Sequence, residues 1–218
     1  MKTSNIIILS TIGLIISLNL WMVSDAKNKF ENMIQETKTE NTMPNVKTVD
    51  LANFSHIVIS DQIHLDIETS KKNSISSSNK EKYQTQIIND TLYISGNTFV
   101  SIKCNTIKSI ELKNECKLNT ENLQTDYLLI KSLDDSKVIL RNTSINKLEI
   151  YSKNDSRIIL TQSKIDTTNI LASENSRIGI TGTLNIVRGE AKDNSNLSVT
   201  GANNTQFSKS DNASINMR

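Results

Sequence analysis

The sequence predicts an all-β protein: a parallel β-helix, or β-solenoid, with repeats of about twenty residues, preceded by one amino-terminal transmembrane helix. Three observations carry the prediction. A small residue recurs at Cys116, Ser136, Ser156, Ser176, Ser195 and Ala213, at intervals of twenty, twenty, twenty, nineteen and eighteen residues. Apolar residues follow it two and four positions later in almost every copy, the alternation of a strand with one face in a core. Aromatic residues make up only 4% of the chain, so the core has to be a narrow one filled by aliphatic side chains. A unit this short cannot bury its own apolar side, whereas stacked copies can.

In chain order, residues 1–4 form a short tail and Asn5 to Val23 an uncharged apolar run, "NIIILSTIGLIISLNLWMV". As a helix it would extend roughly 28 Å, close to the hydrocarbon thickness of a bilayer. Trp21 lies near one end, where an indole suits the membrane interface. The expectation is an uncleaved signal anchor for residues 5–23. The alternative is secretion after cleavage at the Ser-x-Ala pattern "SDA". Lys2 before the run and Lys27 and Lys29 after it leave orientation undecided by charge. Residues 24–46 are polar, contain the single proline, Pro44, and read as a helical extension and linker. The solenoid head is expected over residues 47–218.

Residues 47–100 alternate less regularly, but "FSHIVIS", "QIHLDIET", "YQTQIIND" and "TLYISGN" read as strands. They are expected to form the first coils or a sheet covering the amino-terminal end. His56 and His64 fall in these strands without metal-ligand spacing. From residue 110 the pattern is clearer. Inward pairs are Leu118 with Thr120, Val138 with Leu140, Ile158 with Leu160, Ile178 with Ile180, Leu197 with Val199, and Ile215 with Met217. A second set precedes each turn: Ile110 with Leu112, Leu128 with Ile130, Leu148 with Ile150, and Ile170 with Ala172. A third inward position is assigned to Leu123, Ile145, Ile165 and Leu184.

The corner of each coil is also written in the sequence. Asn114-Glu115, Asp134-Asp135, Asn154-Asp155, Glu174-Asn175, Asp193-Asn194 and Asp211-Asn212 precede the small residue. Asn and Asp tolerate the left-handed backbone that a tight corner requires. Cys116 occupies the small-residue slot, which favours a buried free thiol over a disulfide to Cys104. Lys117, Lys137, Arg157 and Arg177 follow the slot, so a basic column is expected beside an acidic one, the two balancing each other.

Several segments resemble the auto-transporter adhesin head family, the GIN domain, found in envelope proteins of Bacteroidetes-type bacteria. They are "VDLANFSHIVISDQIHLDI", "INDTLYISGN" and the ladder "DDSKVIL", "NDSRIIL", "ENSRIGI", "NSNLSV". The resemblance spans about residues 47 to 218 and implies a right-handed solenoid in the cell envelope. It brings no catalytic motif. Many members carry Gly in the corners where this chain has Asn and Asp.

Function classes narrow accordingly. Net charge is +2 with both signs interspersed along the chain, so no basic stripe points to nucleic acid. Paired acids such as Asp134 and Asp135 sit in a repeating corner, not in a cleft lined with aromatics, which argues against a polysaccharide-cleaving enzyme. Calcium-binding solenoids carry turn glycines that this chain lacks. No catalytic, cofactor or metal residue is assigned. The expectation is a non-enzymatic, membrane-anchored envelope protein whose carboxy-terminal domain lies outside the cytoplasm and binds a glycan or protein. The alternative is a self-assembling scaffold whose solenoids pair end to end.

Overall fold

The computed structural model describes residues 46–79 and 82–218. The expected membrane segment 5–23 and the linker 24–46, apart from Val46, lie outside the described residues. Among those residues no helix is long and apolar enough to cross a membrane. Residues 46–218 form one compact unit, a β-solenoid with two broad sheet faces and one narrow side.

The regular coils begin with β8 (Ser109–Leu112) on one broad face and β9 (Lys117–Glu121) on the other. β10 (Gln124–Ser132) runs along the narrow side and onto the first face, followed by β11 (Lys137–Arg141) on the second. The pattern continues through β12 (Ser144–Ser152), β13 (Arg157–Ala172), β14 (Arg177–Ala191), β15 (Asn196–Lys209) and β16 (Ser214–Met217). In β13, β14 and β15 both faces belong to one long strand.

Pairing between coils is parallel and in register. Leu118, Val138, Ile158, Ile178, Leu197 and Ile215 pair successively down one column. All but Ile215 are buried. Each buried Ile or Leu contributes roughly 1.5–3 kcal/mol, and stacking by backbone hydrogen bonds about 4.8 Å apart makes one continuous tube of such contributions. Thr120, the exception to the apolar rule, is buried with its hydroxyl donating to the carbonyl of Ile67 at 2.6 Å.

One column differs from expectation. Ile145, Ile165 and Leu184 do stack together, but the residue paired with Ile145 in the preceding coil is Thr125, not Leu123. Leu123 is buried one column earlier, adjoining the corner at Asn122, where φ is 58°. This second corner holds the positive-φ residues Asn122, Asn142 and Gln162. It is also where the repeat shortens. The register slips between Leu160 and Ser163 against β14, and again between Thr181 and Leu184 against β15. With a residue missing, the backbone cuts across the corner so closely that a Cβ on Gly182 would lie 1.9 Å from the Ser163 carbonyl oxygen. Gly201, with φ of 85°, approaches the Gly182 carbonyl in the same way, at 2.0 Å.

The first corner is as expected. Both residues of every Asn/Asp-rich pair from Asn114-Glu115 to Asp211-Asn212 have φ between 51° and 61°, the double left-handed signature of a type I′ turn. The hydrogen-bond ladder continues through the corner: the Asp135 amide donates to Asn154 and the Asp155 amide to Glu174, each at 2.9 Å. Inside it the small slot is filled by serines from Ser136 to Ser195, with Cys116 and Ala213 in the outer copies. Ser132 and Ser136 share a hydrogen bond at 2.7 Å, as do Ser152 and Ser156 at 2.8 Å. Ser176 faces Ala172 at the equivalent place, and its buried hydroxyl has no hydrogen-bond partner among the described residues.

The amino-terminal part departs from sequence order. β2 (His56–Ser60) and β3 (His64–Thr69) form a coil, and so do β6 (Thr91–Gly96) and β7 (Phe99–Cys104). Yet β2 pairs with β6 on one side and with β8 on the other, and β3 pairs likewise with β7 and β9. The first coil in the chain is therefore second in the stack. The outer end is closed by antiparallel strands: β4 (Ser74–Ser77) on β7, β1 (Lys47–Asp50) on β4, and β5 (Tyr83–Ile88) on β6. Both sequence expectations for this region hold together, since coils and a covering sheet coexist. Phe54, Ile75 and Tyr83 extend the aliphatic core beneath this cover.

Candidate functional surface

Alternation along each strand sends every second side chain outward, and register then aligns these side chains into columns running down the solenoid. The exposed chemistry of the molecule is thus a set of columns on two broad faces.

The face built from β2, β6, β8 and the later parts of β10, β12, β13 and β14 carries tyrosines and leucines. Its central outward column reads Tyr93, Val58, Glu111, Lys131, Tyr151, Leu171, Glu190. Tyr151 is 42% exposed. A shallow depression of about 550 Å³ is lined by Leu129, Leu133, Tyr151 and Leu171, with Lys131, Glu149 and Lys153 at its rim. Ion pairs tie neighbouring columns: Lys113 to Glu111 at 2.8 Å, Lys147 to Glu149 at 2.8 Å, and Lys153 to Glu174 at 3.0 Å. The hydrogen bond from Lys147 holds the Glu149 carboxyl below its ordinary range, against the opposing effect of burial. Tyr127 donates to Glu149 at 3.2 Å, and burial followed by the Glu149 charge pushes its phenol up.

The opposite face carries the cations. Phe99, His64, Lys117, Lys137, Arg157, Arg177 and Asn196 form one outward column. Beside it runs Ile139, Ile159, Gly179 and Ser198, and beyond that lie Arg141 paired with Thr161 and, across the register slip, Thr181 paired with Thr200. Cations scattered over sixty residues of sequence thus become vertical neighbours. The expected neutralisation by the corner acids differs from what is found. Among the described residues no carboxylate lies within 4.0 Å of Lys117, Lys137, Arg157 or Arg177. The corner acids are partly engaged elsewhere: Asp134 accepts from Asn154 at 2.7 Å and Glu115 from Gln62 at 3.1 Å. His64, next in the column above Lys117, has its imidazole pKa lowered by burial first and by the Lys117 charge second.

The remaining sequence candidates have structural roles. His56 shares a hydrogen bond between Nδ1 and the Ser109 hydroxyl at 2.6 Å, with its Nε2 4.0 Å from the Asp90 carboxylate. Asp90 also accepts from the Ser55 hydroxyl. This group fastens the β5–β6 hairpin to the first coils. Cys104 and Cys116 are both free and buried. Burial pushes the Cys104 thiol up to about 11 and raises that of Cys116. Neither is a thiolate near neutral pH, so neither is nucleophilic in the folded chain. No group of three or more His, Cys, Asp or Glu able to hold a metal ion occurs among the described residues. Sequence reasoning found the basic column itself. It missed the aliphatic and threonine columns beside it, because outward residues obey no apolar pattern.

No protein-family model matches the chain, and no curated protein matches it. Its fold is similar to solved structures. One is a candidate adhesin from Bacteroides fragilis NCTC 9343, with 16% identity and a TM-score of 0.59, covering 79% of this chain and 96% of the other. Another is a candidate lipid-binding protein from Parabacteroides distasonis ATCC 8503, with 11% identity and a TM-score of 0.54, covering 81% and 95%. At these identities the likeness is one of fold: the chain shares a β-solenoid architecture with proteins of Bacteroidetes-type bacteria.

Proposed function

We propose that the protein is a non-enzymatic, GIN-type adhesin head, anchored in the cell envelope through residues 5–23, which presents residues 46–218 outside the cytoplasm to a glycan or protein. The observation that carries this reading is the pair of broad, registered faces on which large rings stay in solvent. Tyr93 is 40%, Tyr151 42% and Phe99 54% exposed. Rings in this position are poor for solubility and useful for contact. The corner acids recur along the length of the solenoid instead of gathering at one point, which suits recognition along a surface better than cleavage at one point.

Two measurements test the reading. A protease-cleavable tag placed after Arg218 is expected to be cut in cells with a permeabilised outer membrane and an intact inner one. Protection until the inner membrane is lysed removes the envelope placement. Cells carrying the chain are expected to adhere to a glycan- or protein-coated surface that cells lacking it do not hold. Equal adherence by both removes the adhesion role.

End-to-end self-assembly is a second reading, favoured by β16 and the later part of β15, which pair on one side only among the described residues. Open strand edges invite pairing with another chain. Sedimentation that shifts with concentration supports it, and a monodisperse monomer at high concentration rules it out.

A further inference from the structure

We propose that the basic face is the binding surface for an extended acidic polysaccharide lying along the solenoid, with about one uronate per coil. The inference rests on the adhesion reading and names the ligand class and the face that takes it. Its core is the strip made by Lys137, Arg157 and Arg177 beside Ile139, Ile159 and Gly179, with Thr161 and Thr181 further along β13 and β14, where the register slips.

Each column supplies a different part of the recognition. The three cations repeat at the coil rise of about 4.8 Å, close to the axial length of one extended pyranose, so the charge spacing of the polymer along its axis matches that of the column. Among the described residues these cations have no carboxylate within 4.0 Å to displace. Arginine adds bidentate geometry suited to a carboxylate. Ile139 and Ile159 are half-buried and offer a flat aliphatic floor to the C–H face of a sugar ring. Gly179 continues that floor with no side chain, and nothing lies within 4 Å of where a Cβ would be. The threonines offer hydroxyls to the ring's hydroxyl edge. A charged surface alone would suit any polyanion. A cation edge, an aliphatic floor and a hydroxyl edge in parallel suit a polymer whose own repeat is amphipathic.

Asp135 and Asp155 stand two residues before Lys137 and Arg157, in the corner turn. On β11 itself Arg141 pairs with Glu121 of the preceding coil at 3.4 Å, and further up the face Glu68 pairs with Lys103 at 3.0 Å. Asp66 lies half-buried there, its carboxyl raised chiefly by burial. The column of Lys117, Lys137, Arg157 and Arg177 is therefore the part of the face whose positive charge no ion pair takes up among the described residues.

The full chain in detergent is titrated with polygalacturonate, a neutral glucan of similar length and double-stranded DNA. Polygalacturonate is expected to bind, more weakly as salt rises, with glucan and DNA at least tenfold weaker. The triple variant Lys137→Glu, Arg157→Glu, Arg177→Glu is expected to lose at least tenfold. The same charge change at the exposed Lys72, Lys108 and Lys164 is expected to lose less than threefold. All six sites face solvent at least in part, and an unchanged thermal transition confirms folding of both variants. The proposal is overturned by absent polygalacturonate binding, by equal binding of glucan or DNA, or by a triple variant that binds like the parent. Should polygalacturonate fail while chain-dependent cell adherence persists, this inference falls and the adhesion reading stands. Loss of adherence itself would remove the reading beneath it.

Discussion

At the scale of single residues, facing decides consequence. Ile158 is fully buried whereas its neighbour Ile159 is half-exposed on the basic face. Ile158→Asp places an unpaired charge in the aliphatic tube and is expected to destabilise by several kcal/mol, on the order of the largest single-site effects. Ile159→Asp should cost no more than about 1 kcal/mol, read in the same urea titration. Equal midpoints for the two would contradict the register. Thr168 presents the opposite case. It stands between Leu148 and Val187 in an inward column, and its buried hydroxyl has no partner. Thr168→Val keeps the shape and removes the unsatisfied group, so it is expected to stabilise by about 1 kcal/mol. The thiols give a third test. With Cys104 pushed up to about 11 and Cys116 raised as well, iodoacetamide at pH 8 should leave both unmodified in the folded chain and label both in denaturant. Rapid labelling of the native protein would show that one of them is accessible.

Elements are limited by their corners. At the first corner, two successive left-handed residues recur in every coil from β8–β9 onward, and Asn or Asp fills most of those places at little steric cost. At the second corner the coil shortens, and there only glycine fits. Gly182→Ala and Gly201→Ala would each drive a Cβ to about 2 Å from a carbonyl oxygen in the preceding coil, and each is expected to lower stability by at least ~2 kcal/mol. Gly179→Ala is the control, since no atom lies within 4 Å of the added methyl. It should leave the thermal midpoint within about 2 °C, equivalent to a few tenths of a kcal/mol. A Gly179 effect as large as that of Gly182 would show that loss of backbone freedom, not contact, limits these positions.

For the whole molecule, the order of stacking governs how stability is distributed. Coils after Ser109 are added one upon another, so removing the last of them should subtract roughly one interface and leave the rest folded. The amino-terminal end behaves differently because the β2–β3 coil lies between β6–β7 and β8–β9. Deleting residues 46–69 would leave β6–β7 with no coil to stack on and β8–β9 with an open upper edge. Circular dichroism with thermal melting is expected to show a loss of cooperativity far beyond that from deleting residues 210–218. Comparable melts for the two truncations would mean that the regular coils fold without their cover.

Much of the fold could be read from the chain because a solenoid is governed by local rules repeated. Period-two alternation marks what faces inward, Asn/Asp pairs mark the first corner, and a constant interval sets the register that places Val138, Ile158 and Ile178 in one column. The basic column was legible for the same reason. What the sequence could not contain is any fact set by chain segments meeting far from where they are encoded. The out-of-order position of β2–β3 depends on residues fifty-three positions apart pairing in preference to nearer ones. The offset of Leu123 and the role of Gly182 depend on where a coil loses a residue, which an interval alone does not reveal. Whether the cations pair with the corner acids depends on side-chain reach around a bend, so only the tertiary structure decides that, among the described residues, that column stands more than 4.0 Å from any carboxylate.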